Sequence, residues 1–167
     1  MNATRGTNPA VAHRLFKSVI HLMIGVTGEM RPLLAEYRLT GPQWANLHVL
    51  SDAPPEGLRL SEISKRLRVT EGNVTGVIDR LVESGLVERI PHAEDRRVIF
   101  ARLTQVGREL CEEVAPLFLG RLAQLFAVLS DPEKETLAQT LEQLTLRVAE
   151  AAEACSKAAA GATTAEK

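Results

Sequence analysis

Between Leu58 and Thr104 the spacing of apolar and polar positions changes character twice, and the changes predict two helices followed by a hairpin. Ile63 and Leu67 lie one turn apart on a short helix, with Ser61 as its expected cap. Thr70 is placed to cap a second helix, whose Val74, Val77, Ile78, Leu81 and Val82 form a single stripe at i, i+3, i+4, i+7 and i+8. The opposite face carries Gly72, Asn73, Gly76, Asp79, Arg80 and Glu83, and Ser84-Gly85 stops the helix. Leu86–Ile90 and Val98–Leu103 then read as two strand-like runs rich in β-branched residues. Their tip, His92-Ala93-Glu94-Asp95-Arg96-Arg97, is almost wholly polar.

The flanks keep the helical period. A long helix is expected from about Pro9 to Tyr37, with Gly25 and Gly28 weakening it and Pro32 marking a kink. The pattern Thr40-x-x-Gln43 is a capping box for the next helix, which carries Trp44, Leu47 and Leu50 and ends before Pro54-Pro55. After the hairpin, Thr104 is the expected cap of a helix that Pro116 should kink. Ser130-x-x-Glu133 opens a last helix through Leu137, Leu141, Leu144 and Val148, and the apolar face is lost from about Ala151. The expected fold class is mainly α with a small β-hairpin wing. A winged helix-turn-helix lobe over 38–104 lies between helices 10–37 and 105–149 of one unit, 10–149, with flexible tails at 1–9 and 151–167. The terminal helices carry more apolar surface than that lobe can cover, so they are expected to pair with a second copy of the chain.

The chemistry of the exposed faces points to double-stranded DNA. Small and hydrogen-bonding residues in the first turns let a helix approach base edges in a major groove. Ser61, Arg68, Thr70, Gly72, Asn73, Thr75, Gly76 and Arg80 are the candidates there. Asp95, Arg96 and Arg97 at the hairpin tip suit a minor groove, with Asp95 placed to orient Arg97. The chain as a whole is at −1, but residues 58–104 hold nine Lys and Arg against seven Asp and Glu. Residues 105–167 hold six against ten, so the positive charge is local and modest, and tight binding calls for two copies of the patch.

Other classes find little support. There is no phosphate-binding glycine loop, no Gly-x-Ser-x-Gly and no HExxH, so no enzyme is expected. Cys111 and Cys155 fit neither a disulfide framework nor a metal motif, and no cofactor is implied. No apolar run is long enough for a membrane span and the N-terminus lacks a secretory h-region, which reads as cytoplasmic. The competing reading is a winged helix that serves as a protein–protein adaptor without sequence-specific DNA binding.

The order VTEGNVTGVIDRLVESGLVER, DRR and LTQVGREL resembles the MarR family of bacterial transcriptional regulators. Asp79-Arg80-Leu81, Gly85-Leu86-Val87, Asp95 with Arg97, and Leu103-Thr104 with Gly107 occupy that family's signature positions, and Leu39-Thr40 with Gln43 resembles its L-T-x-x-Q helix start. The resemblance implies a homodimer formed through the terminal helices, a palindromic operator, and a repressor released by a small ligand held between the dimer and DNA-binding lobes. For that ligand, an anionic aromatic acid, Arg14, His21, Trp44 and His48 are the candidate contacts. Family members that sense oxidants carry a reactive cysteine near the N-terminus, and none precedes Cys111 here.

Overall fold

The computed structural model describes residues 8–91 and 99–164, of which 153 and 155–164 are described as backbone alone. Among the described residues, six helices and three short strands follow in the order α1 (Pro9–Glu36), α2 (Gly41–Ser51), β1 (Leu58–Arg59), α3 (Leu60–Leu67), α4 (Glu71–Glu83), β2 (Val87–Pro91), β3 (Ile99–Leu103), α5 (Gln105–Leu125) and α6 (Asp131–Thr164). The chain divides into two compact units, residues 1–122 and 123–167. The expected lobe at 38–104 lies within the first.

Local chemistry accounts for most boundaries. The Thr40 capping box is formed: its N–H donates to Gln43 Oε1 at 2.9 Å and its Oγ1 accepts from the Gln43 N–H at 3.4 Å. Ser130 opens α6 in a related way, its N–H donating to Glu133 Oε2 at 2.8 Å. Ser61 does not cap its helix. α3 begins two residues earlier, at Leu60 with Arg59 as its cap, and the carboxylate of Glu62 takes the Arg59 N–H at 2.8 Å, which leaves Ser61 inside the first turn. α1 and α5 continue through Pro32 and Pro116. α6 runs on to Thr164, past residue 149 where the apolar pattern ends, because the alanine-rich stretch has high intrinsic helix propensity without an apolar stripe.

The strand pair expected around the tip is present, and β1 joins it to give an antiparallel sheet of order β1-β3-β2. Leu58 pairs with Ala101, and Val87 through Pro91 pair with Leu103 through Ile99. One core gathers Leu47, Leu50, Ile63, Val74, Ile78 and Leu81 with Val87, Ala101 and Leu103 of the sheet and Val114 of α5. Two glycines are required by this packing. Gly57 has φ +88° and a Cβ there would overlap the Ala101 carbonyl oxygen. A Cβ at Gly107 would overlap the carbonyl oxygen of Leu86. Around that contact Thr104 ties three elements together: its N–H donates to Leu86 O at 3.1 Å, its hydroxyl to Gly85 O at 2.7 Å, and its Oγ1 caps the Gly107 N–H at 3.0 Å.

Candidate nucleic-acid interface

Four of the five stripe residues of α4 are buried as their spacing predicts, Val74, Val77, Ile78 and Leu81 each at most 4% exposed, while Val82 at the end of the helix is 37% exposed. Burying that face against α2 and α3 turns Gly72, Asn73 and Arg80 outward, with Thr75, Gly76 and Asp79 half-buried beside them. The start of α4 is held by Thr70, whose Oγ1 accepts from the Asn73 N–H at 3.4 Å. Asn73 thus has its backbone fixed while its side chain is exposed. The Thr75 hydroxyl donates to the Glu71 carbonyl at 2.9 Å, so its proton is already committed and only its oxygen can accept from a ligand. Nothing lies within 4 Å of a Cβ built at Gly72, and one at Gly76 would meet only Arg80 Nη2 at 3.9 Å. Neither glycine is required by this chain's own packing. Both positions leave room for another surface to approach the backbone closely.

The turn between α3 and α4 rests on Arg68, which adopts φ 55° and ψ 41°, the left-handed conformation that usually falls to glycine. Its N–H bonds Lys65 O at 3.3 Å, and the Val69 N–H bonds Ser64 O at 3.1 Å, which closes α3 and aims α4. Ser61 is half-buried in α3, and its carbonyl accepts from the Ser64 hydroxyl at 2.9 Å.

Asp95, Arg96 and Arg97 lie outside the described residues, but the base of the hairpin is well defined. Glu88 and Arg102 face each other across β2 and β3 and form an ion pair of 2.9 Å, and Arg102 also reaches Pro55 O at 3.3 Å. The Arg59 guanidinium sits 5.6 Å from the centroid of the Phe100 ring, tying β1 to β3. Arg89 of β2 meets Asp79 of α4 at 2.9 Å. That contact is a charge pair rather than an aligned hydrogen bond, and the buried Arg89 Nε has no acceptor among the described residues. It joins the hairpin base to the outward face of α4. Sequence alone singled out Asp79 but not Arg89, Glu88 or Arg102, whose roles depend on strand register.

Of the four ligand candidates, Trp44 and His48 are brought together, and Arg14 and His21 are not. A cavity of about 780 Å³ opens between α1, α2 and Phe118 of α5, walled by Met30, Leu34, Leu39 and Trp44. Trp44 is 5.4 Å from the Phe118 ring and stacks on His48 at 5.8 Å. His48 is exposed and does not line the cavity. Arg14 and His21 are exposed on α1, and at 1.5 Å per residue they stand about 25 Å and 15 Å along the helix from Arg31, the cation that does line it. Arg14 and His21 do not line this cavity, whereas Arg31 and Thr27 do.

Among the described residues no group of three His, Cys, Asp or Glu side chains could hold a metal ion. No described helix is long and apolar enough to cross a membrane. Cys111 is buried, with Sγ 3.8 Å from the Leu47 carbonyl, and burial followed by the charge of Glu112 pushes its thiol up to about 11. The side chain of Cys155 lies outside the described residues.

Comparison with known proteins agrees with this geometry. Residues 39–98, the lobe built around α4, match the family model described as MarR family. The chain is 30% identical over 130 residues to the HTH-type transcriptional repressor YetL of Bacillus subtilis, covering 78% of each chain. Its fold is similar to that of AbsC, a MarR family transcriptional regulator from Streptomyces coelicolor, with a TM-score of 0.78 at 22% identity over 88% of this chain and 99% of that one. It is also similar to a mutant MarR from E. coli complexed with operator DNA, with a TM-score of 0.72 at 26% identity, covering 78% and 93% of the two chains. With the family's helix pair, sheet and Leu103-Thr104-x-x-Gly107 junction all in place, this chain belongs to the MarR family of transcriptional regulators.

Proposed function

We propose that the chain acts as a homodimeric, sequence-specific DNA-binding repressor that a small ligand releases from an approximately palindromic operator. The observation that carries this reading is α4: one face is locked into the core, and the other presents Gly72, Asn73 and Arg80 to solvent with no steric need for glycine. The relatives named as a repressor and as a complex with operator DNA support it. In this reading Asn73 and Thr75 read base edges, Gly72 and Gly76 allow close approach, and Ser61, Arg68, Thr70 and Arg80 meet the backbone. Asp95, Arg96 and Arg97 enter the minor groove, an assignment that rests on their sequence pattern.

Dimerisation is supported by α1, where Leu15, Phe16, Met23 and Ile24 are 50–64% exposed, a run of large apolar side chains of the kind that marks an interaction surface. On α6, Leu137, Leu141 and Leu144 are likewise exposed at helical spacing. A second copy covers these faces and sets two α4 helices about one DNA turn apart. The cavity beside Trp44 is of the size that holds a small organic molecule. Apolar walls with Arg31 and Thr27 fit a compact apolar body bearing a carboxylate. Such a ligand lowers DNA affinity only if it favours a helix spacing that mismatches the operator.

Promoter DNA from the neighbourhood of the chain's own gene, titrated at several salt concentrations, tests the reading. The expected result is a saturable complex of two chains per site, with affinity falling steeply with salt. A chain that stays monomeric, or binds all DNA alike, refutes it. Salicylate should weaken the complex, and Arg31→Ala, not Arg14→Ala, should blunt that effect.

A further inference from the structure

Arg102 of β3 and Arg108 of α5 bring two guanidiniums to one cleft at the base of the hairpin. Carbonyls of residues that line the cleft fix where the two groups sit. Arg102 Nη1 donates to Pro55 O at 3.3 Å, and Arg108 Nη1 donates to Leu103 O at 3.0 Å. Both side chains are open to solvent, Arg102 at 39% and Arg108 as an exposed residue. The cleft measures about 260 Å³, with Leu50, Ala53, Pro54 and Pro55 as its apolar wall. No carboxylate lines it.

The charge there is unbalanced. Glu88 pairs with Arg102 at 2.9 Å, but Arg108 forms no ion pair among the described residues. Its Nε reaches only the amide oxygen of Gln105, at 3.4 Å. Asp52 and Glu56 belong to the loop that walls the cleft, yet both are exposed and neither lines it. A guanidinium carries five N–H groups. Arg102 uses three of its own and Arg108 two, so five find no acceptor among the described residues. A cleft lined by one sign of charge between apolar walls focuses its field on whatever enters. We propose that this cleft is a binding site for a small oxyanion, a carboxylate or phosphate whose oxygens take N–H groups from Arg102 and Arg108 together. Planar guanidinium forks match such groups by two-point contact. The two prolines offer no N–H, so the loop supplies apolar contact and leaves the charge to the arginines. The cleft shares no lining residue with the cavity beside Trp44 and does not depend on the DNA-binding reading.

Inorganic phosphate and isobutyrate are the probes, each titrated into the full chain at constant ionic strength with sodium chloride as the reference. In heteronuclear NMR spectra at least one should shift the Ala53, Gly57 and Arg108 amides and the Nε–H signals of both arginines saturably. Which probe does so assigns the head group as phosphoryl or carboxylate. Arg108→Gln should weaken binding about tenfold or more, the loss of a charge-assisted hydrogen bond, while the remaining spectrum stays native. Arg108→Lys keeps the charge without the fork and should fall between the two. Unchanged affinity in Arg108→Gln overturns the proposal. So do shifts that never saturate or that chloride reproduces, which mark ionic screening alone. Displacement of the bound anion by duplex DNA also overturns it, because both guanidiniums are then assigned to a phosphate backbone.

Discussion

Gly107→Ala separates packing from helix propensity at the junction of the DNA-binding lobe and α5. Gly107 lies in the first turn of α5, where propensity alone predicts a gain of up to about 1 kcal/mol for alanine. Against that, the new Cβ would overlap the Leu86 carbonyl oxygen, which is backbone and cannot swing aside as a side chain would. Overpacking of this kind costs about 1–3 kcal/mol. Displacing the Leu86 carbonyl also strains its 3.1 Å bond from the Thr104 N–H, a further loss of about 1 kcal/mol. The balance is a destabilisation of about 1–3 kcal/mol, or roughly 2–12 °C in Tm for a chain of this size. Circular-dichroism melts and urea titrations at one fixed chain concentration measure it, since Tm depends on concentration for any chain that self-associates. Gly72→Ala is the control: nothing lies within 4 Å of its Cβ, so stability should stay equal or rise by up to about 1 kcal/mol. A Gly107→Ala chain as stable as the original would refute the claim that the close approach requires glycine.

Other outcomes follow from the same geometry. Asn73→Ala should change sequence preference by about 1–3 kcal/mol at one base pair, whereas Arg80→Ala should weaken all sequences alike and reduce the salt slope by about one; competition gel shifts distinguish these. Asp79→Ala removes a half-exposed ion pair, so urea unfolding should change by no more than about 1 kcal/mol, yet DNA affinity should fall because the hairpin base loses its tie to α4. With its thiol pushed up from 9.0 to about 11, Cys111 is neutral at pH 8, with about one thiolate in a thousand. In a Cys155→Ser background, iodoacetamide should therefore modify it only after unfolding. The raised folded-state value means that the stabilisation is fully present below pH 9.0 and is lost as pH rises through about 11, a loss that urea titrations across that window detect.

The lobe was legible in sequence because its signals are local. The Thr40 box, the α4 stripe and the Gly85 stop each involve residues within a turn or two of one another. β1 was not legible: two residues have no readable period, and Leu58–Arg59 is a strand only because β3 pairs with it. Ser61 misled because a carboxylate three residues beyond Arg59 captured the helix start instead. Which residues line the cavity beside Trp44 was not legible for a reason of distance. Arg14 and His21 share a helix with the cavity wall, but helical rise carries them well away from Trp44, while Arg31 lies near enough.

The order β1-β3-β2 puts the last strand to be made in the middle of the sheet. During synthesis Leu58 emerges 43 positions before its partner Ala101. At about 5–20 residues per second, the segment bearing α3 and α4 spends roughly 2–9 s with neither sheet edge closed. Pairing across that interval is a slow, non-local step, and the lobe becomes cooperative only when Leu103 has left the ribosome. The sheet that closes the lobe is therefore complete in sequence before α6 begins, at Asp131.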